Sequence, residues 1–218
     1  IFLTADSPLL TLFARECETE VIPSISFLQS FTERWKTDLL VGELSAVPQL
    51  KQIRQTPNLK KVPLLVVHDD FSETELPEEF YLERNTALVN KCVAGEEKFI
   101  RHVLGKCDRK SSLKTGCFVK KAIIQMNRKL SEKNIRPSVS EKIGISEDYL
   151  SKIFYRETGI KFWDYLMTIR LEKARKLTET TVLPFSEIAG RCGFTDDSHL
   201  SNCFRKKFGY PPGQLRKV

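Results

Sequence analysis

At 218 residues the chain has room for two domains of about a hundred residues each. Its net charge of +7 is one-sided: residues 1–110 hold 14 Lys and Arg against 17 Asp and Glu, net −3, while residues 111–218 hold 21 against 11, net +10. No run approaches the roughly eighteen apolar residues of a membrane helix and no secretory leader is visible, so the expectation is a cytoplasmic protein with no membrane partner. The six cysteines, at 17, 92, 107, 117, 192 and 203, form no C-x-x-C pair and no zinc spacing with the three histidines, so no metal or cofactor is expected. No nucleophile-base-orienter set or Gly-rich phosphate loop is present, which argues against an enzyme. Residue 1 is Ile, which implies a start inside a longer reading frame.

The first half alternates apolar runs with helical patterns, the signature of a parallel sheet with crossover helices. In order, the spacing predicts a strand at Ile1–Ala5, a helix at Pro8–Cys17, a weak strand at Val21–Ser26 and a helix at Phe27–Trp35. A strand at Asp38–Gly42 and a helix around Leu50–Arg54 follow. Val62–His68 is the clearest buried strand, after which Asp69–Glu83 is acidic and Pro77 limits any helix there to a short piece. A strand at Thr86–Asn90 and a helix at Glu96–Leu104 close the series.

Five strands and five helices in this order resemble the receiver domain of two-component response regulators. The resemblance rests on Ile1–Pro8, on Thr37–Glu43, on the strand ending at His68 and on Asn90-Lys91. It implies a doubly wound five-stranded parallel sheet of the flavodoxin-like kind, with a pocket of Asp6, Glu43, His68 and Lys91. Receivers hold Mg2+ on carboxylates and transfer phosphate to an Asp, beside a hydroxyl and a Lys. Here Ala5 replaces one carboxylate, Glu43 stands at the acceptor and His68 at the hydroxyl, so the resemblance is to a pseudo-receiver. Asp6, Glu43 and His68 could form an independent metal site, but a satisfied polar cluster with Lys91 paired to a carboxylate is preferred. A homodimer through the Asp69–Leu104 face is a further implication.

Residues 105–117 are polar, with Gly, Ser and charge and no apolar period, so the domains are divided as 1–107, a linker at 108–117, and 118–218. Val119, Ile123, Met126 and Leu130 then mark one helix, and Pro137 fits the first turn of the next. Beyond them the chain repeats itself. Leu150, Ser151, Phe154 and Gly159 return 50 positions later as Leu200, Ser201, Phe204 and Gly209, and Val139, Ser140, Ile143 and Gly144 return 49 later as Ile188, Ala189, Cys192 and Gly193. Each copy reads as two short helices joined by a Gly turn, a helix-turn-helix, with Thr195 able to cap the last helix. Between the copies, Phe162–Leu177 forms one helix of about 24 Å with Phe162, Tyr165, Leu166, Ile169, Ala174 and Leu177 on one face. Cys192 and Cys203 fall on core positions.

Residues 118–218 resemble the DNA-binding domain of the AraC family of bacterial transcription regulators, most specifically in Ser186–Arg216. The chain departs from the family pattern at Leu200, where an aromatic is usual, at Asn202, where Arg is usual, and at Leu215, where Tyr or Phe is usual. The fold class expected is thus two domains, the second all-α with two helix-turn-helix units joined by a long helix. The second helix of each unit, Ser146–Thr158 and Thr195–Phe208, would enter the major groove. Asp148, Tyr149, Ser151 and Lys152 of the first, and Asp197, Ser198, His199 and Asn202 of the second, are the base-reading candidates. Arg156, Lys161, Arg205, Lys206 and Lys207, nearer helix ends, suit phosphates. The partners implied are double-stranded DNA and RNA polymerase. The leading function is a sequence-specific regulator controlled without aspartyl phosphorylation; the alternatives are a phosphorylation-competent relay and a nucleic-acid-binding module without base preference.

Overall fold

The computed structural model describes residues 8–22, 25–43, 53–73, 78–108 and 115–216. The first half contains α1 (Pro8–Ala14), α2 (Ile25–Arg34), β1 (Leu40–Glu43), β2 (Leu64–His68), α3 (Glu78–Leu82), β3 (Thr86–Asn90), α4 (Lys91–Ala94) and α5 (Glu97–Asp108). The strands form one parallel sheet in the order β1-β2-β3, with Leu40 opposite Leu64 and Leu64 opposite Thr86. Every position of β3 and the first four of β2 are buried, as strands covered on both faces require.

Among the described residues the sheet has three strands where the receiver resemblance implies five. The strand expected at Ile1–Ala5 lies outside the described residues, and in the second, Val21 makes only an isolated bridge. Ile25 and Ser26, expected at the end of that strand, open α2 instead. The helix expected to end at Leu104 continues to Asp108, into the polar stretch read as connection, because its apolar residues Phe99, Ile100, Val103 and Leu104 anchor it while Lys106 and Asp108 do not interrupt the backbone ladder.

The second half is all-helical: α6 (Cys117–Arg128), α7 (Ile135–Ile143), α8 (Glu147–Thr158), α9 (Phe162–Thr180), α10 (Phe185–Arg191), α11 (Asp197–Phe208) and a 3-10 turn at Pro212–Leu215. One apolar core runs from Leu9 through the sheet into α6–α8 and the first half of α9, ending at Ile169. A second, smaller core begins at Leu171 and is closed by Ile188, Ala189, Cys192, Phe194, Leu200 and Phe204.

Polar groups are also buried where the sheet meets the helices. The Asn90 backbone N–H donates to the Tyr165 hydroxyl at 2.9 Å, and that hydroxyl donates to Asn90 Oδ1 at 3.0 Å. Asn90 Nδ2 donates to Asn127 Oδ1 at 2.8 Å, and Asn127 Nδ2 donates to the Ile123 carbonyl at 2.8 Å. Burial pushes the Tyr165 hydroxyl far above its ordinary pKa, so it stays a donor at any working pH. Tyr165→Phe strands the buried Asn90 N–H, while Asn90 Oδ1 keeps the Asn127 Nδ2 donor at 3.1 Å, and is expected to cost about 1–3 kcal/mol in urea unfolding. A cost near zero would mean that water replaces the hydroxyl.

Lys120 on α6 is fully buried, with Nζ 2.8 Å from the Phe80 carbonyl, bonded also to the Glu83 carbonyl, and 5.1 Å from the centre of the Phe80 ring. It satisfies carbonyls at the end of α3 that no intrahelical donor reaches. Desolvation pulls its pKa down to about 8, against an opposing pull from Glu83. In the unfolded chain the ordinary value of 10.5 returns, so between pH 8 and 10.5 the unfolded state binds the extra proton. Stability relative to Lys120→Met should therefore rise over that window. A difference independent of pH would show that the ammonium is solvated.

Candidate nucleic-acid interface

The two helix-turn-helix units are built alike because the local chemistry repeats. The first turn passes through Gly144 at φ 75° and the second through Gly193 at φ 76°, so the sequence repeat is also a backbone repeat. Ser146 caps α8, its Oγ accepting the Tyr149 N–H at 3.3 Å. In the second unit the cap is Asp196, whose Oδ1 accepts the His199 N–H at 2.7 Å. That displaces the cap expected at Thr195 by one residue: a carboxylate three positions before the N–H is the better acceptor, and Thr195 Oγ1 lies 3.0 Å from His199 Nδ1 instead. These bonds hold the Asp196 carboxyl below the usual carboxylate range.

Behind the exposed faces of α8 and α11 lie the residues expected inward. Leu150, Ile153 and Phe154 of α8 and Leu200 and Phe204 of α11 are buried, and Phe154 meets Phe162 and Tyr165 edge-on at 5.4 and 5.2 Å. Leu200 and Leu215, two of the departures from the family pattern, pack in the second core; Asn202, the third, is exposed.

The outer face of α8 presents Asp148, Lys152 and Tyr149, the last 45% exposed with its ring edge-on to Phe118 at 6.3 Å. Ser151 is half-buried and turns its hydroxyl back to the Glu147 carbonyl at 2.9 Å. On α11, Asp197, Ser198, His199 and Asn202 are all exposed, and the His199 ring rests edge-on against Phe194 at 5.5 Å. Arg156, Lys161, Arg205 and Lys206 are exposed too, Arg156 lying 3.4 Å from Glu157. Lys207 is placed differently, paired with Glu96 just before α5.

The receiver-like pocket cannot be assembled from the described residues. Asp6 lies outside them, Glu43 is the last residue of β1, His68 ends β2, and Lys91 opens α4 directly after β3. His68 contacts Phe71 edge-on at 5.5 Å. Two structural cations, Lys120 and Arg170, had no place in the sequence reading. The signal was there: each interrupts an apolar helix face, Lys120 after Val119 and Arg170 between Ile169 and Leu171.

Comparison with known proteins covers part of the chain. A family described as a helix-turn-helix domain matches residues 139–218. A stretch of 79 residues, 36% of this chain, is 35% identical to 28% of the Escherichia coli K12 protein named as an uncharacterized HTH-type transcriptional regulator, YpdC. The Msm operon regulatory protein of Streptococcus mutans is 32% identical over 79 residues, 36% of this chain and 28% of its own. Among solved structures, the C-terminal domain of AraT, a response regulator from Geobacillus stearothermophilus, is 34% identical, covering 46% of this chain and 87% of that one with a TM-score of 0.44. The chain thus spans about 28% of the length of the curated relatives just described. No helix among the described residues is long and apolar enough to cross a membrane. The C-terminal part of the chain, residues 139–218, is a helix-turn-helix domain.

Proposed function

We propose that the protein is a sequence-specific DNA-binding transcription regulator that places α8 and α11 in successive major grooves of one duplex. The observation that carries this reading is the pair of repeated, side-chain-capped reading helices with polar outer faces, joined by a 19-residue helix of about 28 Å. With its flanking turns such a rod matches about 34 Å, one turn of B-DNA. A net charge of +10 over residues 111–218 supplies the counterion-release term that draws such a face to a polyanion. In this reading Lys152 and Asn202 touch base edges, whereas Arg205 and Lys206 touch phosphates. Lys152→Ala and Asn202→Ala should each cost about 1–3 kcal/mol on the specific duplex and little on random DNA. Arg205→Ala should weaken both alike and reduce the salt slope by about 1. Equal losses on both duplexes for Lys152→Ala and Asn202→Ala would reassign those two residues to the backbone.

The N-terminal domain acts, in this proposal, as a pseudo-receiver that controls the reading domain without aspartyl phosphorylation. Glu43 ends β1 where an acceptor Asp would stand, and a Glu, one methylene longer than Asp, suits an in-line phosphoryl transfer less well. The end of β3, where the phosphoryl-binding Lys of a receiver follows, is closed by Tyr165 and Asn127 of the chain's own helices. Incubation with acetyl phosphate and Mg2+ is expected to leave the intact mass unchanged; a stable adduct of about 80 Da, one phosphoryl group, absent from Glu43→Gln, would overturn this part. Such a regulator meets RNA polymerase on the same DNA. A second copy would have to use what the Asp69–Leu104 face leaves uncovered, because Ser72, Phe80, Glu83 and Asn90 already bond to α6 and α9.

A further inference from the structure

The two reading units meet at a buried arginine. Arg170 lies midway along α9 and is only 2% exposed. Its Nε donates to the Leu130 carbonyl at 3.1 Å and its Nη2 to the Glu132 carbonyl at 2.5 Å, both in the turn between α6 and α7 of the first unit. The ring of Trp163, about two turns earlier on the same helix, lies 5.8 Å away. Among the described residues no carboxylate pairs with this cation.

The second unit presses on the same point. A Cβ at Gly193, in the turn between α10 and α11, would stand 2.5 Å from the Leu130 carbonyl oxygen and 2.6 Å from Arg170 Nη2. Backbone of the Gly193 turn, guanidinium, and backbone of the turn between α6 and α7 are therefore in mutual contact. The apolar cores divide here as well: one ends at Ile169 and the other begins at Leu171. Burying a guanidinium without a counter-charge is a poor route to stability, because an apolar side chain would fill the space at less desolvation cost. What a rigid fork of donors adds is geometry: two bonds fix the rod's rotation against the first unit, and the fork then forms the floor on which the second turn rests.

We propose that Arg170 is a positioning residue that fixes the separation and rotational phase of the two reading helices, making the spacing between the two half-motifs a determinant of DNA specificity. It touches no DNA and acts through the Leu130, Glu132 and Gly193 backbones. The inference rests on the DNA-reading function proposed above.

The test uses the full chain and the duplex recovered by selection, together with the same duplex carrying one base pair inserted between its half-motifs, which shifts them by about 3.4 Å and about 34°. The wild type should bind the inserted duplex at least about tenfold more weakly, a loss comparable to one base contact. In Arg170→Gln that ratio should fall below about threefold, with affinity for a single half-motif unchanged. Mere destabilisation lowers the active fraction for every duplex alike and leaves the ratio untouched, so the ratio separates positioning from folding. Arg170→Lys, which keeps the charge but loses the fork, serves where the Gln variant does not fold and should also relax the ratio. A folded variant with the wild-type ratio overturns the inference, as does a wild type that prefers its site but ignores the insertion; the DNA-reading proposal survives both. A wild type that prefers no duplex over random DNA overturns that proposal first.

Discussion

Gly193→Ala is expected to destabilise the protein by about 3 kcal/mol, whereas Gly144→Ala, at the equivalent turn of the first unit, is expected to cost only about 1–2 kcal/mol. Both glycines are left-handed, at φ 76° and φ 75°, so both substitutions carry the roughly 1–2 kcal/mol that an L-residue loses there. The surroundings make the difference. A Cβ at Gly144 meets nothing within 4 Å, while one at Gly193 would sit 2.5 Å from a backbone carbonyl that cannot swing aside. Overpacking of that kind adds about 1–3 kcal/mol more. Urea unfolding of the two variants measures the difference directly; equal midpoints would mean that the second turn does not bear on Leu130.

The second large effect concerns the paired phenylalanines. Phe154→Ala should cost about 3–5 kcal/mol, as loss of a fully buried aromatic does, and the loss should spread. Phe154 belongs to the core shared with the sheet and touches Phe162 and Tyr165. Phe204, its counterpart 50 residues later, belongs to the smaller core and packs on Phe208 at 4.5 Å and Tyr210 at 6.0 Å. Native-state hydrogen exchange should therefore show faster opening of β3 and α6–α9 in Phe154→Ala, but of α10 and α11 chiefly in Phe204→Ala. Exchange that accelerates uniformly in both would show one cooperative unit instead of two.

The helical half was legible because its signals are local. Capping residues, Gly turns and apolar spacing fix α8 and α11 to within a residue or two, and the repeat at Leu150 and Leu200 announced two equivalent units. Thr195 misled by one position because it and Asp196 are both acceptors, and only the geometry to the His199 N–H separates them. The inward faces were readable for the same reason, since a buried side must be apolar. What the sequence could not show is tertiary. That Asn90, read as the last residue of a strand beside the receiver-like Lys91, hydrogen-bonds Tyr165 of the rod depends on a contact across 75 residues. That Lys207, read as a phosphate contact, faces Glu96 depends on one across 111. Arg170 looked like one more basic residue of a charged helix until its two carbonyl partners were in view.

Genome-wide selection of DNA fragments bound by the full chain tests the central claim most directly. Two reading helices on one rod predict recovery of a shared motif with two short halves centred about 10–10.5 base pairs apart, bound about a thousandfold or more tighter than random duplex at the same salt. Recovery of fragments with no common motif, bound as tightly as random DNA, would contradict the account and leave only a basic surface without base preference.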